Sequence, residues 1–299
     1  NGRYTLTECV VAMPDIQPSA LWEAADSDGN TYTLKITPYT GTKPPPEIRR
    51  LWDNDLRVMY RLSSSAGADR QLVIMKDAGI DADTRVMILV YEGWQHITFA
   101  QILKNREATD WLSFKSLKER HSRRELWRAL LQLAKGLKSL HDQNLIHRNV
   151  TPEAIWGHQG GGSESLRLSG FDWSARIGHV ANIHDRSSWA TPPELQQVGY
   201  SFASDWYGFG TTVARCFHKV EHLSNQNASL AEGLISAISR ENPCSLEPLE
   251  KDFIKAIAAP NRLDRLQRAT EVLERIEKII EYLDFGQQGK GDDRRVLLH

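Results

Sequence analysis

The sequence predicts an α+β fold whose strands lie in the first ninety residues, around one helix, and whose remainder is mainly helical. Three observations carry this. Short runs of strand-forming residues, divided by turn residues, occupy the start of the chain; one helical stripe interrupts them; beyond Gly93 the apolar spacing becomes helical.

The strand runs fall at 4–13, 20–25 and 31–37, and the Ser27-Asp28-Gly29-Asn30 turn between the last two is a hairpin signal. After Pro44-Pro45-Pro46, residues 47–62 place Ile48, Leu51, Leu56, Met59 and Leu62 on one helical face. Two further strands are expected at 71–76 and 85–91. The clearest helix is 123–141, striped by Leu126, Leu130, Leu133, Leu137 and Leu140. The polar stretch 103–122 reads as a helical extension or a surface insert. Gly160-Gly161-Gly162-Ser163 reads as a flexible hairpin tip, because no helix start follows it as a phosphate loop would require. A last helix is expected at 269–283, followed by a flexible, charged tail at 284–299.

The 299 residues, 40% apolar and with nine tryptophans, allow one large core or two lobes sharing a cleft. Lys and Arg number 37 against 38 for Asp and Glu, so the overall charge indicates neither nucleic acid nor an anionic membrane, while a local patch stays open. Cys9, Cys216 and Cys244 have no metal-like spacing and fit a reducing compartment. No apolar run approaches the ~20 residues needed to span a bilayer, and the start lacks the pattern of a signal peptide. The expectation is an intracellular, cytoplasmic protein with no membrane span. Its start at Asn1-Gly2 suggests a domain of a longer chain.

The chemistry is concentrated in two motifs, His147-Arg148-Asn149-Val150-Thr151-Pro152-Glu153-Ala154 and Leu168-Ser169-Gly170-Phe171-Asp172. They resemble the H-R-D-L-K-P-E-N and D-F-G motifs of eukaryotic-type protein kinases. Further matches occur in order. Tyr32-Thr33-Leu34-Lys35-Ile36 resembles the strand with the phosphate-binding lysine, and Asp55 aligns with the helix glutamate that pairs with it. Leu89-Val90-Tyr91-Glu92 resembles the hinge, with Tyr91 as gatekeeper. Thr191-Pro192-Pro193-Glu194 resembles A-P-E, and Asp205-Trp206-Tyr207-Gly208-Phe209-Gly210 resembles the start of the central helix of the second lobe. The resemblance implies a bilobal protein-kinase-like fold: an N-lobe at 1–92 with a five-stranded antiparallel sheet and one helix, and a mainly helical C-lobe at 93–283. It also implies that Asp205 anchors the catalytic-loop backbone and that Glu194 pairs with Arg265 or Arg268.

The same alignment marks what is missing. Asn149 stands where the catalytic aspartate is expected, Thr151 where the lysine is, and Ala154 and Gly170 where the metal ligands are. An amide orients a hydroxyl but is no base at neutral pH. Magnesium needs hard oxygen ligands, which Ala154 and Gly170 lack in their side chains. The expected loop glycines are Pro14, Ile16 and Ser19, with Pro18 beside them, and proline removes an amide donor. In the adenine slot Thr33 and Trp156 stand where the family has a small alanine above the base and a leucine or similar residue below it, and an indole of on the order of 200 Å² either fills that space or turns away from it. Lys35 reads as an ion-pair partner of Asp55 or as a solvated charge. Asp172 is the remaining acid; it caps a turn, faces solvent or reaches a cation.

His147, Phe171, Met59 and an apolar residue near Val73 match residues that stack between the lobes in the family, so the packing frame is expected to persist. The expectation is a pseudokinase domain, without phosphotransfer or metal and with weak or no ATP binding, that acts as a regulatory or scaffolding module for a protein partner or further domains of a longer chain. Its candidate contact surfaces are 177–189, with His179 and His184, and the insert around Trp111 and Phe114. The alternative is a nucleotide-binding transferase using ATP and magnesium through Lys35, Asp172 and Asn149.

Overall fold

The computed structural model describes residues 3–13, 19–64, 67–93, 97–158, 160–178, 191–219 and 230–288. Strands β1 (Thr5–Met13), β2 (Ser19–Ala25) and β3 (Thr31–Pro38) form a meander, followed by helices α1 (Pro46–Leu62) and α2 (Ala68–Gln71) and strands β4 (Met75–Asp81) and β5 (Val86–Glu92). The five strands form one antiparallel sheet in the order β1-β2-β3-β5-β4. Pro46 opens α1 at a position where a missing N–H costs nothing, and Leu51, Trp52, Asp55, Val58, Met59 and Leu62 are its buried residues.

The fourth strand lies further along than its residues suggest. The apolar run after Gln71 enters the core instead of the sheet: Leu72 bridges to Leu168, and Val73 N–H donates to the Leu168 carbonyl at 3.1 Å. The strand itself begins at Met75 and runs through Asp77, Gly79 and Asp81 on the sheet edge, where exposed polar residues are tolerated.

Beyond the sheet come β6 (Ile97–Thr98), α3 (Phe99–Lys104), α4 (Arg120–His141), β7 (Leu145–Ile146), β8 (Ile155–Gly157), β9 (Leu166–Leu168) and β10 (Ala175–Arg176). Helices α5 (Leu195–Val198), α6 (Phe202–Phe217), α7 (Leu230–Glu241), α8 (Pro248–Ile257) and α9 (Ala269–Gln288) complete the chain. The final helix thus continues past the expected boundary at 283 to Gln288. One core cluster joins Leu21, Met59, Val73 and Met87 from the sheet side with Leu168, Phe171, Trp206 and Ile276 from the helical side. This is a bilobal α+β fold. Among the described residues no helix is long and apolar enough to cross a membrane.

The stretch between α3 and α4 is neither a long helix nor a surface insert. Two 3-10 turns, Arg106–Ala108 and Ser116–Lys118, carry it across the lobe while Trp111, Leu112 and Leu117 enter the core. Arg106 is buried and donates to the carbonyls of Leu112, Arg215 and Cys216, the last two at the C-terminal end of α6. Gly161, at φ +68, lies against the Trp111 ring so closely that a Cβ would fall 2.2 Å from it. Trp111 is therefore covered by the glycine hairpin and not available as a contact surface.

Candidate functional site

The site lies where α1, β3 and the loops around His147 and Phe171 meet. Lys35 on β3 points inward, and its Nζ donates to Asp55 Oδ2 at 2.9 Å. Both side chains are buried. Asp55 Oδ1 accepts the Phe171 N–H at 3.2 Å, so one carboxylate on α1 binds both the sheet and the second motif. Burial pushes the Asp55 carboxyl up, and nearby Asp172 adds to this while Lys35 opposes it.

Asn54, beside it on α1, adds a feature that no sequence motif signals. Its Nδ2 lies 3.0, 3.0 and 2.7 Å from the carbonyl oxygens of Phe171, Asp172 and Ser174. A single amide group thus holds the turn that follows Gly170.

The loop at His147 is held from below by α6. Asp205 accepts the amide N–H of His147 at 2.7 Å and of Arg148 at 2.8 Å, and its Oδ2 lies 2.9 Å from His141 Nε2. Arg148 sits at φ +66, a strained backbone that this double anchor maintains. Its guanidinium donates to the Trp173 carbonyl at 3.5 Å and lies 4.4 Å over the Tyr200 ring. His147 Nε2 is 2.9 Å from the Ser169 carbonyl, and its ring packs 5.1 Å from Phe171. Met59, Val73 and Phe171 share the same core cluster. Glu194 and Arg265 make a two-pronged pair at 2.6 and 3.1 Å, which resolves the choice between Arg265 and Arg268.

The positions expected to do chemistry are placed as follows. The Asn149 amide N–H donates to His147 Nδ1 at 3.3 Å, Thr151 is buried, and the Ala154 carbonyl accepts both the N–H and Oγ of Ser169. Gly170 is at φ +72, in the left-handed region, and a Cβ there would meet the Ala154 Cβ at 3.2 Å. A methyl and a hydrogen thus occupy the two metal-ligand positions, so the residues present do not fit magnesium held in the family's usual way. Among the described residues no group of three His, Cys, Asp or Glu side chains is placed to hold a metal ion. Asp172 is half-buried; its carbonyl accepts from Asn54, its carboxylate makes no hydrogen bond or ion pair among the described residues, and, after burial, its charge helps to raise the pKa values of Asp55 and Tyr91.

Trp156 on β8 is 3% exposed and meets Tyr91 edge-on, with ring centroids 4.9 Å apart. Thr33 is buried opposite Tyr91 in the β3–β5 register. Glu92 forms an ion pair with Lys76. Pro14, Ile16 and Pro18 of the expected glycine loop, and His179 and His184, lie outside the described residues.

Among curated proteins, mitogen-activated protein kinase kinase kinase 3 of Arabidopsis thaliana is 28% identical over 152 residues, which are 48% of this chain and 23% of that protein. The membrane-associated tyrosine- and threonine-specific cdc2-inhibitory kinase of Drosophila melanogaster is 28% identical over 163 residues, 50% of this chain and 30% of that protein. Serine/threonine-protein kinase pkn2 of Myxococcus xanthus is 27% identical over 94 residues, 29% of this chain and 11% of that protein. The chain thus spans less than a third of the length of the relatives it matches. The model of the protein kinase domain matches residues 70–276, more than half of the chain, and includes both motifs and the Glu194–Arg265 pair. By that match, and by the bilobal fold built around His147, Phe171 and Asp205, the chain belongs to the protein kinase domain family.

Proposed function

We propose that the chain is a pseudokinase domain that serves as a regulatory or scaffolding protein-binding module, without phosphotransfer. The observation that carries this reading is Trp156, buried edge-on against Tyr91 where the resemblance expects the adenine ring. An indole that reaches from β8 to Tyr91 on the hinge strand takes volume a purine would need. The altered metal positions Ala154 and Gly170 and the amide at Asn149 support the same reading. Phosphoryl transfer depends on positioning and charge neutralisation, and these residues supply little of either.

A second reading keeps the chain an enzyme, and Asp172 favours it. Its carboxylate is half-buried next to the Lys35–Asp55 pair, where it would attract a cation and, through it, a nucleotide. Thermal unfolding with ATP, ADP and GTP, each with and without magnesium or manganese, separates the two. A ligand at 100 times its Kd adds ~2.7 kcal/mol. The expected result is no shift, with calorimetric titration of the wild-type chain equally silent. A metal-dependent shift that disappears in Asp172→Asn would overturn the pseudokinase reading in favour of the enzyme.

A further inference from the structure

On the side of α1 that faces β7 and β10, a cavity of about 400 Å³ is lined by Arg57 and Arg61 from the helix and by Arg176 from β10. The two helix arginines are four residues apart and so share a face, with Arg176 on the opposite wall. Val58, Leu145 and Ala175 supply apolar lining, and among the described residues no acidic side chain lines the cavity. All three arginines are exposed, and their guanidinium groups make no ion pair or hydrogen bond among the described residues, in contrast to that of Arg49 on the same helix, which pairs with Asp53. Asn54 also lines the space, but its amide group is directed at the three carbonyls of the Phe171 turn. The cluster is not the by-product of a basic protein, since the net charge is −1. Arg61 gains something from its place in the last helical turn, but Arg57 and Arg176 have no such reason to be here.

We propose that this cavity takes a phosphoserine- or phosphothreonine-bearing segment of a protein partner. A phosphate carries about −1.5 to −2 charges and three strong acceptor oxygens, which three guanidinium groups can engage through paired N–H bonds. A carboxylate offers less charge and fewer acceptors, so the cavity favours phosphate. The apolar lining accommodates a side chain next to the modified residue. Arg148 is turned onto Tyr200 and does not line this space, so the site is separate from the loop at His147. The proposal rests on the reading of the chain as a protein-binding module and names the chemistry of its partner.

The test is fluorescence polarisation with two labelled nine-residue peptide libraries, degenerate except for a central phosphoserine or a central serine. At low salt the phosphoserine library should bind at least tenfold more tightly. In the double variant Arg57→Glu, Arg61→Glu, and separately in Arg176→Glu, its affinity should fall to that of the serine library, while Arg49→Glu leaves it unchanged. Matching melting temperatures show that the variants are folded; Arg57→Gln, Arg61→Gln replaces any that is not. Equal binding of the two libraries, or undiminished phosphopeptide binding in the variants, overturns the proposal. So does complete displacement by equimolar inorganic phosphate, which would make this a site for the free anion. Loss of the peptide result with no nucleotide shift removes the cavity proposal alone and leaves the pseudokinase reading intact.

Discussion

His147 is fully enclosed, and burial holds its imidazole below the usual pKa despite the nearby carboxylates of Asp205, Asp172 and Asp55. In the unfolded chain the same ring takes a proton as pH falls through about 6.5, whereas in the fold it stays neutral to lower pH. The unfolded state then binds more protons, so acidification below about 6.5 destabilises the fold, by up to ~1.4 kcal/mol per pH unit from this residue. Burial raises the carboxyls of Asp55 and Glu250, which act in the opposite sense, so the wild type must be compared with His147→Gln. Urea unfolding between pH 7.5 and 4.5 should give a shallower acid loss in the variant; equal slopes would rule out His147 as the source. At this scale the sequence motifs place Lys35 with Asp55 and His147 with Phe171, because each belongs to a fixed motif frame. Asn54 was not legible, since its partners are main-chain carbonyls far along the chain and no side-chain type marks them.

Among the elements, α6 and the segment ending at Glu194 are joined by Arg265, whose side chain is completely enclosed. Its guanidinium donates to Glu194 and to the carbonyls of Ala203, Ala259 and Pro260. Removing the carboxylate leaves a buried charge without its counter-ion, so Glu194→Ala should cost ~3–5 kcal/mol in urea unfolding. Glu271→Ala, which breaks an exposed pair with Arg275, should cost under about 1 kcal/mol. Comparable losses would mean that the Arg265 pair is no more than a surface contact. Helices with strong apolar stripes, α1 and α4, were legible close to their ends. The edge strand β4 was not, because Asp77, Gly79 and Asp81 are poor strand formers that the neighbouring β5 holds in register. The path between α3 and α4 is not legible in the sequence because its order comes from buried Arg106 and from carbonyls on α6, contacts with no local periodicity.

Across the whole molecule, the two lobes share more than a cleft. Asn54 and Asp55 hold the Phe171 turn from α1, Leu72 bridges to Leu168, and a single apolar cluster runs through both lobes. The order of the motifs predicted two lobes, but their joining depends on which groups face one another across the boundary. Unfolding the N-lobe alone would expose Met59 and Val73 on one side and Phe171 and Leu168 on the other, all of them buried. Each exposed large side chain costs ~1.5–3 kcal/mol, so a state with one lobe folded is strongly disfavoured. The chain should therefore unfold in one transition, with far-UV circular dichroism and tryptophan fluorescence giving the same midpoint and slope. Asn54→Ala leaves the Phe171, Asp172 and Ser174 carbonyls without this donor and should lower the unfolding free energy by ~1–3 kcal/mol, shifting that midpoint down without splitting the curve. Two separated transitions in the wild type would show that the lobes are independent and that the contacts from α1 do not couple them.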